Sequence, residues 1–377
     1  MVGKGAMPSP EPSIESLLAA LREAHPELQE VLASAREPVF VVGGAVRDLL
    51  LGQPRSDLDL VVEGDADALA ARLGGGTSHS RFGTAKVEVA GREVDLAAAR
   101  TERYPHPGAL PLVEPAWSIE DDLRRRDFTL NAMAIPLQGE PRLIDPHGGR
   151  EDLRRRRLRV LHSRSFADDP TRAIRAARYA ARLGLELEGE TEDLLRRADL
   201  GTVSEERRRA ELERLADEAT AVRGLALLGE WGVVELRHGG LDLARAGEAL
   251  LGAEPWAGQV PRGALLLAAA LGPPGGEAEL AAVASPSPAE GVELTRGRDP
   301  VELALARAMG AAWLDEYLRS WRHVGLEIGG EDLLAAGVPP GPAVGRGLRA
   351  ALAKRLNGEV EGREDELAAA LEAARAE

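Results

Sequence analysis

The sequence predicts a mixed α/β head followed by an all-helical remainder, and three observations carry that prediction. PVFVVGG, AVRDLLLG and SDLDLVVEG read in turn as strand with glycine turn, helix and strand. From about Asp152 onward apolar residues recur at helical spacing. The breaks LGPPGG near residue 275 and GVPPGPAVG near 340 then divide the later helices. With 377 residues, 44% of them hydrophobic, the chain is too long for one simple core, so at least two domains are expected.

In order along the chain, residues 13–34 (SIESLLAALREAHPELQEVLAS) read as an amphipathic helical region behind a tail, and 1–36 is set apart as tail and helix. The head occupies 37–150. Its further strands are AKVEVAG and REVDLAAAR. TERYPHPGALPLVEPAWS, rich in proline and polar residues, reads as a long loop, and a loop of that length in a compact domain is more often functional than accidental. Residues 151–220 and 221–377 are the helical parts, with no internal repeat of fixed period.

Composition narrows the chemistry. Without cysteine there is no disulfide, thiolate site or cysteine nucleophile, so a metal would be held by oxygen or histidine, which suits hard cations such as Mg²⁺. No run of about 18 apolar residues and no signal-peptide pattern in MVGKGAMPSPEPS are found, so no membrane span and a cytoplasmic location are expected. The net charge of −15 argues against a general nucleic-acid coat, although REDLRRRRLRVLHSRSF, Arg150 to Phe166, is a local basic run.

Asp57 and Asp59 alternate on one strand, so both carboxylates point to one face, where they repel unless a cation lies between them. The bland alternative is an edge strand with two solvated aspartates. Gly43 and Gly44, between strand and helix, allow a phosphate to approach the backbone and the helix start, although such a pair is by itself most often a turn. The pattern is not GxGxxG, so a dinucleotide site has little support. Asp95, on a later strand, is a candidate third acid. In DDLRRRDFTLNAMAI, Arg125, Arg126 and Asp127 precede an apolar segment with Phe128, Leu130 and Asn131, as suits a phosphate-contacting turn anchored in the core.

GGAVRD with SDLDL, then RRDFTLNAMAI, LIDPHGGREDL, FADDPTRAIRAARYAARL and VSEERRRAEL, resemble in order the motifs of the class II tRNA nucleotidyltransferase and bacterial poly(A) polymerase family, from about Val39 to Leu215. The resemblance implies a nucleotidyltransferase head with a polymerase-beta-like palm, followed by helical neck, body and tail domains. It places two Mg²⁺ ions on Asp57 and Asp59, and the triphosphate around Gly43, Gly44, Arg47 and Asp48. Arg125, Arg126, Asp127, Phe128 and Asn131 contribute ribose and phosphate contacts. Asp145, Gly148, Gly149 and Asp152 link head to neck as a hinge.

The family's EDxxR motif reads the incoming base, and here it is Asp168, Asp169, Pro170, Thr171, Arg172, with Asp168 in place of Glu. Asp169 would accept from an exocyclic amino group and Arg172 donate to ring acceptors, so cytosine and adenine fit while uracil and guanine leave groups unpaired. Arg175 and Arg178 extend that surface on later turns of the helix. Arg207 and Glu211 brace the helix, and their spacing equally suits an i,i+4 ion pair.

The implied reaction is addition of CMP and AMP from CTP and ATP to the tRNA 3′ end, the acceptor arm being held by neck and body. Complete CCA addition competes with CC-only or A-only addition, in which a partner enzyme shares the work, and with poly(A) synthesis; an inactive RNA-binding protein is the reading from another class. In this family CC-only enzymes lack a flexible loop between the first two motifs, a place that TERYPHPGALPLVEPAWS fills. His238, followed by Gly239, is expected to be a surface or capping residue rather than part of a His-Asp metal site.

Overall fold

The run Val39–Val42 (VFVV), strand β1, is buried at every position, as expected of a strand covered on both faces. The computed structural model describes residues 12–54, 58–79 and 83–376. After β1 come β2 (Asp59–Val62), β3 (Gly76–His79), β4 (Thr84–Val89), β5 (Arg92–Ala98), the pair β6 (Arg100–Arg103) and β7 (Leu112–Pro115), and β8 (Ala134–Pro136). The main sheet runs β3-β4-β5-β2-β1-β8. β2 and β5 are parallel, whereas its other neighbouring pairs are antiparallel.

Strand alternation divides the apolar residues between two faces. Val39, Val41, Leu60, Val62 and Leu96 pack with Val46 and Leu49 of the helix Gly43–Leu50 and with Leu17, Leu21 and Leu28 of the N-terminal helices. Those helices are Ile14–Ala24 and Leu28–Ser34, so the helical region read at 13–34 is two helices separated at His25 to Glu27. On the opposite face Phe40, Val42 and Val61 pack with Ile119 and Leu123 of the helix Ile119–Arg124. Asp59 precedes Val61 by two residues and lies on this second face, where it is exposed.

The segment read as one long loop is partly a hairpin. β6 and β7 pair from Arg100↔Pro115 to Arg103↔Leu112, leaving residues 104–111 as the connection. Its prolines sit at or between the strand ends, where no ladder donor is lost, so they do not prevent pairing.

The chain divides into two compact units. One runs to Glu211 and takes in Glu230–Val233; the other comprises Leu212–Gly229 and Val234–Glu377. In the second, helices Pro342–Leu356 and Gly362–Arg375 contribute Ala351, Ala370 and Ala374 to a core with Leu333, small residues that permit close helix approach. Gly347 adjoins this core, where a Cβ would lie 2.6 Å from the Ala370 carbonyl. His238 is exposed beside Gly239, the residue before the helix Gly240–Leu251.

Candidate active site

Asp59 on β2 stands opposite Asp95 on β5, and Asp95 opposite Lys86 on β4. The strand pairing therefore places carboxylate, carboxylate and ammonium side by side on the open face. Lys86 Nζ lies 3.0 Å from Asp95 and 2.5 Å from Glu93; bonds first to Glu93 and then to Asp95 raise its pKa further. Asp57 lies outside the described residues. A cleft of about 390 Å³ is lined by Asp59, Lys86, Asp95, Arg100, Arg125 and Arg126, among others. The acidic donors here are oxygen alone, which fits a hard cation such as Mg²⁺, with Asp59 and Asp95 as the described candidates. Among the described residues no group of three or more His, Cys, Asp or Glu forms a metal cluster.

Gly43 requires glycine for two reasons. Its φ is +63°, and a Cβ would lie 2.5 Å from Arg126 Nη1. Gly44 follows in the first turn of a helix without a side-chain cap or an acidic residue there. The Gly43 N–H donates to the Met133 carbonyl at 3.0 Å, so the polarity that favours an anion rests on the N–H groups that follow it.

Behind the turn lies a buried polar chain. Arg47, 2% exposed, donates through Nε and Nη2 to Asp48 (2.7 and 3.0 Å) and through Nη1 to Asn131 Oδ1 (2.7 Å). Asn131 Nδ2 donates to Asp127 Oδ1 at 2.9 Å. Asp127 Oδ2 accepts from Arg175 Nε and Nη2 at 2.9 and 2.5 Å. Burial pushes the Asp127 carboxyl up, but Arg175, the Asn131 hydrogen bond and Arg172 outweigh it and hold the value at about 2. Arg175 and Arg178 approach Glu211 to 3.7 and 4.0 Å. The guanidinium carbons of Arg47, Arg175, Arg178 and Arg182 all lie 5.0–5.7 Å from the Tyr179 ring centre, and Phe128 meets that ring edge-on. Motifs dispersed in sequence thus meet in one network.

Asp122 was missed by sequence reasoning, yet it is fully buried and organises the arginines. Its Oδ1 accepts from Arg125 at 2.9 and 2.7 Å and its Oδ2 from Arg126 at 3.2 and 2.9 Å. The signal was present: Asp122 precedes these arginines by three and four residues, the spacing of one helical face. Burial raises its pKa, and Arg126 then Arg125 overcome that effect and lower it. Lys86 was also missed, although the alternation of AKVEV places it on the polar face.

Asp169 and Arg172 flank the start of the helix Arg172–Leu183. Asp169 Oδ1 accepts from Thr171 N and Oγ1 and from Arg207 Nη2, leaving these bonds all on one oxygen. Arg172, 4% exposed, donates to Ser165 Oγ and to the carbonyls of Arg125 and Arg126. Asp168 accepts from Arg164. Arg207 also donates to the Gly108 carbonyl at 2.8 Å, so one guanidinium joins the hairpin tip to Asp169. Glu211, the other residue read as bracing this helix, approaches Arg175 and Arg178.

Asp145 accepts from the N–H groups of Gly149 and Arg150, capping the helix Gly149–Arg154. A Cβ on Gly149 would come within 2.1 Å of the Thr129 carbonyl, so glycine is needed for this approach. Asp152, 1% exposed, accepts from Thr129, Arg157 and Arg159, which draws part of the basic run inward.

A mixed sheet carrying an acidic row beside a glycine turn, with arginines above it, defines a nucleotidyltransferase with a polymerase-beta-like head. The family model described as poly A polymerase head domain matches residues 39–159. The CC-adding tRNA nucleotidyltransferase of Deinococcus radiodurans is 39% identical over 349 residues, 86% of this chain and 87% of that protein. The A-adding tRNA nucleotidyltransferase of Aquifex aeolicus is 49% identical over 174 residues, 44% of this chain. The alignments with three A-adding relatives span only 21% to 50% of those proteins' lengths. An apo CCA-adding enzyme has a TM-score of 0.77 at 28% identity, with 96% of this chain and 99% of that one covered. The chain belongs to the class II tRNA nucleotidyltransferase family.

Proposed function

We propose that the protein adds CMP and AMP from CTP and ATP to the 3′ end of tRNA without a template, completing CCA and releasing pyrophosphate. The observation that carries this reading is the register Asp59–Asp95 on the open face of the sheet, in the cleft that Arg125 and Arg126 also line. Solved CCA-adding enzymes similar to this chain have been obtained with CTP, with ATP and with tRNA, which supports the choice of substrates. Residues 37–150 serve as the catalytic head, 151–220 as the neck and 221–377 as the body and tail that hold the acceptor arm.

In this reading the Gly43–Gly44 turn and Arg126 receive the triphosphate, while Asp122 keeps the two arginines aimed. When bound, Mg²⁺ on Asp57 and Asp59 supplies activation of the attacking 3′-hydroxyl and neutralisation of the leaving group. Asp95 adds a third carboxylate to that side. Asp169 accepts from the exocyclic amino group of cytosine or adenine through Oδ2. Arg172 has five N–H donors and makes three of the bonds described above, so two remain for the ring acceptors. The family resemblance implies that CC-only enzymes lack a loop at this place, and the segment 101–118, which here includes most of the β6–β7 hairpin, supports addition of the terminal A. The 39% identity to a CC-adding enzyme over 86% of the chain favours CC-only addition as the second reading.

The test uses three transcripts of one tRNA, ending before CCA, after C and after CC, with Mg²⁺ and each labelled nucleotide. Extension of all three to CCA and no further is expected. A halt after CC establishes the second reading, extension of only the CC-ended transcript by one A makes the protein half of a two-enzyme system, and long A tracts place it with the poly(A) polymerases.

A further inference from the structure

The helical unit contains a cleft of about 500 Å³ whose lining includes Trp256, Tyr317 and Trp321 together with Arg296, Arg298 and Arg322. No carboxylate among the described residues lines it, in a chain with 62 acidic and 47 basic residues. Aromatic residues make up only 3% of the sequence, so their concentration here is a feature of the fold.

The walls are braced. Trp256 Nε1 donates to Asp315 Oδ1 at 2.7 Å, and Arg307 grips that carboxylate through Nε and Nη2 at 2.7 and 2.9 Å. The Trp321 ring stacks on Trp313 with centroids 6.3 Å apart and planes 15° apart. It also lies over Gly291, where a Cβ would come within 2.4 Å of the ring. Trp321 is therefore seated against a bare helix surface before any ligand arrives, which lowers the ordering cost of binding.

The three arginines differ in what already neutralises them. Arg296 pairs with Glu293, and Arg298 with Glu302 and Glu279. Arg322 instead donates to Gln259 Oε1 at 3.0 Å and His323 Nε2 at 3.2 Å, neither of them a carboxylate. Its guanidinium is thus oriented while its charge has no carboxylate partner among the described residues. An aromatic wall takes the face of any base, and an oriented guanidinium takes a phosphate.

We propose that this cleft binds one unstacked nucleotide of the RNA substrate, its base against the aromatic wall and its phosphodiester on Arg322. One unneutralised cation matches the single negative charge of a phosphodiester, whereas a free triphosphate carries several. The assignment rests on the reading that the substrate is tRNA, and it adds to that reading a contact that anchors the RNA without touching the reacting atoms.

The experiment compares the full-length protein with Arg322→Gln and Trp321→Ala, using a tRNA transcript ending before CCA. Both substitutions raise the KM for tRNA at least about fivefold, with kcat and the KM for CTP and ATP within about twofold of wild type. Arg322→Gln also lowers the slope of log affinity against log salt by about one. Because Arg322 is exposed, that variant reports on binding even if loss of the Trp321 ring disturbs packing. Quenching of tryptophan fluorescence by tRNA shrinks in Trp321→Phe and is not reproduced by CMP or AMP. If wild-type protein extends the transcript and Arg322→Gln keeps the wild-type KM and salt slope, the cleft assignment is overturned while the proposed reaction stands. Equal quenching by CMP or AMP also overturns it, by giving the cleft to free nucleotides. Failure of wild-type protein to extend any tRNA removes the reading on which it rests.

Discussion

On the open face of the sheet, Asp95 keeps 54% of its side-chain exposure and faces Lys86, itself 49% exposed; on and just after the helix Ile119–Arg124, Asp122 and Asp127 retain 0% and 8% and are each gripped by arginine. Water already solvates the first set, so exchanging one cation for another there costs little. The second set has lost its hydration, a penalty of several kcal/mol per ion that only well-directed guanidinium bonds offset. The difference teaches that the acidic row can change partners during a reaction, whereas the buried carboxylates fix the arginines around it.

The contrast is most open to attack at Asp59. Asp59→Ala lowers incorporation more than about a hundredfold, beyond what outer-shell partners of a metal cost, because it removes a proposed ligand. Its melting temperature stays within about 2 °C of wild type, as for other exposed substitutions. Retained activity, or unfolding, breaks the distinction between the two carboxylate sets.

Asp127→Asn has the reverse signature, destabilising by about 1–3 kcal/mol in urea denaturation because the buried carboxylate that Arg175 grips is lost, while Glu211 stays 3.7 Å from Arg175. The sign of the pH effect follows from the folded value of about 2, below the ordinary 3.8. The stabilisation from ionised Asp127 is complete above about pH 4 and is lost as pH falls toward 2, amounting to about 2 kcal/mol. The gap between wild type and variant therefore narrows across that window; a constant gap assigns the loss to packing instead.

Gly43→Ala combines an unfavourable φ with a clash at Arg126. Chemical denaturation registers a loss of about 1–2 kcal/mol, and displacement of the guanidinium raises the KM for nucleotide. An unchanged KM separates Arg126 from nucleotide binding. The smallest effect belongs to Lys86→Met, which removes a competing cation from Asp95. Mn²⁺ titrations followed by electron paramagnetic resonance then show about twofold to fivefold tighter binding, with no change in melting temperature. Weaker binding makes Lys86 part of the support for the ion site rather than its competitor.

Much of the head was legible because its signals are local. VFVV announces a strand, SDLDLVV places Asp59 on the polar side of β2, and Gly43–Gly44 marks the turn. The hairpin at 100–115 was read as loop because prolines mask short strands whose pairing depends on each other. The two helices at 14–34 blurred into one because the amphipathic spacing continues across His25 to Glu27. Asp122 escaped notice because DDLRRRD looks like a solvated charge run until burial is known.

The sequence by itself determined the order of the motifs, the types of donor at the site and the change from mixed to helical architecture, since periodicity and backbone preference act over a few residues. Only the tertiary structure decided which charges meet: Arg47 with Asn131, Asp127 with Arg175, and Arg207 with both Gly108 and Asp169 are joined across 84, 48, 99 and 38 positions of chain. Electrostatic partnership depends on distance through space and on exclusion of water, and neither quantity exists until the strands and helices have packed.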